Sequence, residues 1–277
     1  MKVFKQLLNF YINSSFHVAC AVVALTWITL LEFHLILDEN LIIFVFFASV
    51  TGYNFVKYFG IARFHHRGLS NWLKAIQILS FFCFVLMCYY VLKLKLETLL
   101  FIAGFGVVTF FYAIPFLPRR FYLDSKQNLR NIGGLKVYLI ALVWTGVTVF
   151  LPVINNDYGI DSDVILTAIQ RWIFIIVIML PFEIRDLKYD SLKLATIPQK
   201  IGVQQTKIMG MLLLGVFYTM EFFKDSIASG SLLVMFLISA ITLFFVKYAE
   251  VKQGPYYCSF WVEGLPILWL LLLLMFN

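Results

Sequence analysis

Nine apolar stretches alternate with short polar segments along the whole chain, and most of them have the length of a membrane-crossing helix. A spanning helix needs about 20 apolar residues. The chain is 62% hydrophobic and 13% charged, whereas a soluble globular domain carries roughly 25% charged residues. The pattern therefore predicts an all-α, polytopic membrane protein of nine transmembrane helices in one domain, residues 1–277. The predicted spans are residues 16–33, 40–59, 72–92, 98–116, 134–152, 164–182, 206–222, 231–248 and 259–276.

Lysine and arginine residues lie mainly in alternate loops. Thirteen lie in the N-terminal segment and in the loops on its side of the membrane, and three lie in the opposite loops. Because basic residues are enriched in cytoplasmic loops, we expect an integral, multi-pass membrane protein with its N-terminus in the cytoplasm and its C-terminus outside. Residues 1–15 are predicted to lie on the membrane surface, since Phe4, Leu7, Leu8 and Tyr11 recur at helical spacing.

The net charge of +7 is spread over separate membrane-facing loops. This distribution argues against a nucleic-acid partner, which requires a clustered basic surface. It favours membrane lipid, through anionic headgroups, or a diphosphate.

Acidic residues are concentrated at the end of the sixth apolar stretch. If that helix continues through residue 190, a rotation of about 100° per residue places Glu183, Asp186 and Asp190 within an arc of about 60°. Three carboxylates on one face need a divalent cation, basic neighbours or raised pKa values to coexist. Ionisable groups at the mouth of a membrane bundle indicate a functional site.

Short motifs follow the second, fourth and sixth apolar stretches. Arg185–Asp190 reads Arg-Asp-Leu-Lys-Tyr-Asp and is followed by Thr196–Pro198 and Gly202, and the segment 112–120 is rich in proline and arginine. With these motifs in nine spans, the chain resembles the UbiA superfamily of intramembrane prenyltransferases. The resemblance covers the whole chain in layout, but it is carried by these few segments. In the second motif, the family's usual glycine before the threonine is absent and the spacing is one residue shorter.

The resemblance implies a fold and a reaction. The family's helices surround a central, lipid-accessible cavity, where two Asp-rich motifs hold Mg²⁺ and the diphosphate of an isoprenyl donor. The isoprenyl group is then transferred to a hydrophobic or aromatic acceptor. On this resemblance, Asp186 and Asp190 would be the Mg²⁺ ligands.

The first motif departs from the family pattern in its charge. Asn54 and Arg63 keep their places, but all three carboxylates are replaced, and Lys57 adds a cation. The replacements are Phe55, Tyr58 and Ala62. We therefore expect at most one Mg²⁺, with Lys57 and Arg63 contacting phosphate oxygens directly.

Basic and polar side chains near the ends of the apolar stretches are the predicted diphosphate ligands. They are Asn54, Lys57, Tyr58 and Arg63, with Arg119, Arg120, Lys136 and Lys193 as further candidates. No residue is predicted as a general base. Glu263, beside Gly264 and Pro266 in the last span, is the one further acid of interest.

Two other functions remain open from the sequence. In the first, the basic residues pair with the acids across the bundle, and the chain is a catalytically silent lipid-binding or assembly protein on the same scaffold. In the second, the chain is a transporter, for which the sequence offers no evident acid pair at mid-membrane or broken helix. Oligomeric state is not predicted.

Overall fold

The computed structural model describes residues 2–62, 71–113, 134–188, 195–225 and 229–276. Within these ranges the chain consists of helices and turns, without a β-strand. The α-helices are α1 Lys2–Asn13, α2 Phe16–Glu32, α3 Glu39–Ala62, α4 Asn71–Val91, α5 Leu96–Ala113, α6 Leu135–Thr145, α7 Leu151–Asn155, α8 Ser162–Asp186, α9 Ile197–Thr219, α10 Ser229–Lys247 and α11 Leu265–Phe276. Two π-helical turns, Gly146–Phe150 and Tyr257–Val262, lead into α7 and α11, and a 3₁₀ turn, Met220–Phe223, ends α9.

Every predicted span overlaps an apolar helix of the structure. Six helical segments in the described part of the chain are long and apolar enough to cross a membrane, and a seventh is obtained if the bent pair α1 and α2 counts as one. The helices α5 and α10 are apolar but shorter. The all-α, multi-pass membrane architecture is thus confirmed, while the count of nine spans and the direction of the termini stay predictions.

Two helix starts show how the sequence sets the helix boundaries. The Asp161 carboxylate accepts a backbone N–H from the first turn of α8 at 2.9 Å, which satisfies one of the N–H groups that a helix start leaves free. At α9, the Thr196 N–H donates to Gln199 Oε1 at 3.0 Å. Pro198 lies in the first turn, where its missing N–H costs no hydrogen bond.

Gly202 lies inside α9 at a kink and has φ +81°, a conformation that glycine adopts without a Cβ clash.

The centre of the bundle is formed by α2 and α8. Helix α2 packs against α3 and α11, and α8 packs against α6, α9 and α10. In the most apolar stretch of α8, 72% of the residues are buried, whereas 17% are buried in the corresponding stretch of α4. Helix α4 therefore presents most of its apolar surface to lipid.

Arg171 joins these two central helices although it is only 1% exposed. Its Nη1 donates to the Leu25 carbonyl at 2.9 Å and its Nη2 to Thr29 Oγ1 at 3.3 Å. The Glu32 carboxylate is 4.0 Å away, and the guanidinium lies 4.9 Å from the Trp269 ring centroid. Because an unpaired charge inside a membrane bundle is costly, these contacts hold α8 and α2 in one register.

A close contact at Gly210 of α9 provides a test of this packing. A Cβ at Gly210 would lie 2.8 Å from Leu180 Cδ1 and 2.9 Å from Val246 Cγ1, whereas a Cβ at Gly215 on the same helix would meet nothing within 4 Å. We expect Gly210→Ala to destabilise the protein by about 1–3 kcal/mol through overpacking. The control Gly215→Ala should be neutral or stabilising, because alanine favours a helix more than glycine does.

The midpoint of thermal unfolding, measured on purified protein in detergent, checks this expectation. Gly210→Ala should unfold several degrees below Gly215→Ala. Equal midpoints for the two variants would contradict the close packing of α8, α9 and α10.

Candidate functional site

A sharp corner between α1 and α2 positions the side chains of the first motif. The two helices are bent by 57° relative to each other, and Ser15 at the corner has φ +65°. The Lys57 ammonium donates to Ser15 Oγ at 2.9 Å, and the Tyr58 hydroxyl donates to the Asn13 carbonyl at 2.9 Å. The end of α3 is thereby attached to the α1–α2 corner.

Asn54 contacts the same corner and is buried. Ser15 Oγ donates to its Oδ1 at 2.8 Å, and its Nδ2 donates to the Ser14 carbonyl at 3.0 Å and to Ser80 Oγ at 2.8 Å. Both amide donors are therefore used within the protein. Diphosphate binding by Asn54 stays a prediction, and a structural role at the corner is what its contacts support.

Four charged side chains form what we call the charged cluster. Two helices and the turn before α11 supply them: Lys57 of α3, Arg185 and Asp186 of α8, and Glu263 of the turn. Arg185 Nε donates to Asp186 Oδ1 at 2.8 Å. Glu263 lies within electrostatic range of both Lys57 and Arg185. The Arg185 and Asp186 side chains remain 32% and 22% exposed, and Lys57 is exposed. The cluster therefore places charges from the ends of α3 and α8 near Glu263, and its Lys57, Arg185 and Asp186 side chains keep contact with solvent.

The other acid at the end of α8 has a separate partner. Glu183 is 2% exposed, and its Oε1 is 3.2 Å from Lys136 Nζ of α6. Lys136, a predicted diphosphate ligand, thus forms a half-buried ion pair in the structure. Helix α8 ends at Asp186, and its last turn carries Glu183 and Asp186. Asp190, the third acid expected on this face, lies outside the described residues.

Five predicted site residues lie outside the described part of the chain, so their placement stays a prediction. They are Arg63, Arg119, Arg120, Asp190 and Lys193.

The fit of the site to Mg²⁺ depends on its carboxylates. Among the described residues, no group of three or more His, Cys, Asp or Glu side chains is placed to bind a metal ion. The predicted ligand Asp186 already accepts a hydrogen bond from Arg185, and Mg²⁺ requires a near-octahedral set of oxygen ligands. The described residues alone do not fit a magnesium centre. Binding of Mg²⁺ through Asp186 and Asp190 together stays a prediction.

Sequence reasoning gave little weight to two parts of this site. Ser14 and Ser15 interrupt the pattern between an amphipathic and an apolar segment, and this interruption is the only sequence signal of the corner. Glu263 is predicted as an acid of interest in the last apolar stretch, but its electrostatic interaction with Lys57 involves segments at opposite ends of the chain. No local pattern could have predicted that pairing.

The fold and the site together define an all-α membrane bundle with charged helix ends meeting at one side. No family model matches the chain, and no curated protein sequence matches it with significant similarity. The fold is similar to that of a solved structure of digeranylgeranylglyceryl phosphate synthase, a membrane prenyltransferase of the UbiA superfamily. The TM-score is 0.54, the sequences are 12% identical, and the match covers 98% of this chain and 97% of the synthase. At this identity the similarity establishes the fold.

The contacts of Asn54 predict a loss of stability when the amide is removed. Asn54→Ala removes the partner of the buried Ser14 carbonyl and of the Ser15 hydroxyl proton, at about 1–3 kcal/mol for each unpaired group. The half-buried Ser80 hydroxyl still donates to the Ile76 carbonyl. Asn40, at the other end of α3, has no side-chain hydrogen bond within the described residues, so Asn40→Ala is the matched control.

Thermal unfolding of both variants in detergent provides the measurement. A midpoint for Asn54→Ala as high as that of Asn40→Ala would contradict the structural role of the Asn54 amide.

Proposed function

We propose that this protein is a UbiA-like membrane prenyltransferase, which transfers an isoprenyl group from an isoprenyl diphosphate to a hydrophobic or aromatic acceptor. The observation that supports the proposal is the charged cluster: the segments that resemble the UbiA motifs place Lys57 at the end of α3 and the Arg185–Asp186 pair at the end of α8. Both cations are near enough to interact electrostatically with Glu263, in a bundle with the fold of a prenyltransferase. Nine spans around a lipid-accessible cavity belong to the same proposal.

In this proposal the cations of the cluster hold the diphosphate. Lys57 and Arg185 donate to phosphate oxygens, since charge-assisted hydrogen bonds are the strong ones. The bond between the isoprenyl carbon and the diphosphate oxygen breaks, and its electron pair leaves with the diphosphate. Cations fixed beside the leaving group stabilise the charge that develops there. The allylic cation bonds to the acceptor, and the acceptor's displaced proton passes to water.

Magnesium enters the proposal only through Asp186 and Asp190. When bound, the ion would neutralise part of the diphosphate charge. Lys57 lies at the end of α3, where the resemblance implies the carboxylates of the first motif. In their place, Lys57 supplies positive charge directly. The remaining predicted ligands, Tyr58, Arg63, Arg119, Arg120, Lys136 and Lys193, belong to the proposal as secondary contacts.

A second candidate function is supported by the pairing inside the site. Lys57, Arg185 and Lys136 each have a protein partner, and the Asn54 donors are occupied. A site whose charges are balanced internally suits a neutral lipid bound without chemistry. On this alternative the chain is a lipid-binding or assembly protein with the same fold.

Release of diphosphate separates the two functions. We expect purified protein in lipid nanodiscs to release diphosphate from an isoprenyl diphosphate in the presence of Mg²⁺ and a hydrophobic acceptor. Asp186→Asn should reduce the rate at least tenfold. The substitution removes the negative charge that orients Arg185, and that same carboxylate is the predicted metal ligand. Glu39→Gln, an exposed acid at the other end of α3, serves as the control and should leave the rate unchanged.

Binding without turnover that ignores Mg²⁺ and survives Asp186→Asn would favour the second function. Such a result, obtained with a panel of donors of different chain length, would overturn the transferase proposal.

Opposite charges in the cluster predict opposite effects on anion binding. Lys57→Met removes one charge-assisted hydrogen bond, and we expect it to weaken binding of inorganic pyrophosphate about tenfold, the factor for about 1.4 kcal/mol. Glu263→Gln leaves Lys57 and Arg185 without their shared carboxylate and should strengthen binding severalfold. Thermophoresis of the detergent-solubilised protein measures both dissociation constants.

A change in the same direction for the two variants would contradict the assignment of Lys57 as an anion ligand restrained by Glu263. Glu39→Gln again provides the control for a general loss of negative charge.

A further inference from the structure

An apolar groove lies between α2, α3 and α4, away from the charged cluster. Its volume is about 580 Å³, within the range of about 300–1,000 Å³ of small-molecule sites. Its wall is made only of aliphatic and aromatic side chains, among them Val23, Ile43, Phe46, Phe47, Leu86 and Tyr90.

The position of the groove separates it from the proposed active site. Ile43 and Lys57 lie about 20 Å apart along α3, at about 1.5 Å per residue. Leu86 and Tyr90 belong to the last two turns of α4, next to the turn that contains Lys93. The groove thus begins near the end of the bundle opposite to the charged cluster and extends toward its middle.

Lys93 lies at the mouth of this groove. Its ammonium is 4.4 Å from the Tyr89 ring centroid and 5.1 Å from that of Tyr90, which also lines the groove. Within the described residues Lys93 has no carboxylate partner, whereas Lys95, two residues further on, is paired with Asp157. An exposed lysine among tyrosines at the end of a membrane helix is suited to an anionic headgroup.

We propose that the groove binds one hydrocarbon chain of an anionic membrane lipid, with the lipid phosphate at Lys93. The apolar wall, the lipid-facing exposure of Leu86 and the unpaired ammonium at the mouth match the two parts of such a molecule. A free phosphate has no hydrocarbon chain to fill the groove. A zwitterionic lipid has no net charge, so it would gain less binding free energy from Lys93. This site is independent of the proposed prenyl transfer.

Native mass spectrometry of the full chain tests the proposal. The protein, in detergent with equimolar palmitoyl-oleoyl phosphatidylglycerol and phosphatidylcholine, should retain one phosphatidylglycerol preferentially. Lys93→Gln should lower that preference about fivefold, the factor expected for one basic residue at an anionic surface. Lys95→Gln, on the same turn but already paired with Asp157, should leave the preference unchanged.

Filling the groove tests the chain-binding part separately. Ile43→Trp and Leu86→Trp place bulk in the groove from two different helices, so that one variant remains informative if the other fails to fold. A variant counts as folded if its unfolding midpoint is close to that of the unmodified protein. A folded variant of either kind should lose the bound lipid.

Four results would overturn the proposal. Three concern the lipid: equal retention of the two lipids, a Lys93→Gln preference equal to that of Lys95→Gln, or lipid binding that survives both tryptophan variants. The fourth is a dimer that dissociates on filling the groove, since a second copy of the chain would then be the occupant.

Discussion

A charge buried in a lipid-facing bundle must find its partner inside the bundle, because hydrocarbon offers none. Arg171 meets this constraint through Leu25, Thr29 and Glu32 of α2. At the end of α9, the nearly buried pair Lys224–Glu221 meets it as well, at 2.8 Å. The Arg171 contacts require a fixed register between α8 and α2. Lys224 and Glu221 are three residues apart, so their pair is local. Gln170 of α8 donates to the Glu221 carboxylate at 3.0 Å and thereby joins α8 to the end of α9.

The same constraint has a different consequence at the charged cluster. Arg171 is 1% exposed, whereas the Arg185 side chain is 32% exposed. A sealed ion pair cannot exchange its partner for a ligand without a large desolvation cost, but an accessible pair can, because water and ligand reach its charges. This difference in exposure separates the structural charges near α2 from those suited to binding.

The apolar pattern predicted the helices well, because membrane spans depend on local composition over about 20 residues. The site was predicted less completely, since its partners come from distant parts of the chain. Asn54 matched a family motif, yet its contacts are set by Ser15, whose positive φ leaves no clear sequence pattern. Lys136 is likewise predicted from the sequence as a diphosphate ligand. Only the packing of α6 on α8 reveals Glu183 as its partner.

The proposed transferase function interprets the basic end of α3 as an exchange of charge rather than as simple decay. A site under no functional demand could replace its carboxylates with apolar residues alone, since exchanging ionic groups for well-packed apolar ones is often neutral or stabilising. The end of α3 instead carries Lys57, which donates to Ser15 and interacts electrostatically with Glu263. A cation placed here, with an acid supplied from the segment before α11, favours a bound anion at this position. That argument connects the basic end of α3 with the acid before α11, and it favours the proposed transferase over a protein that binds a neutral lipid.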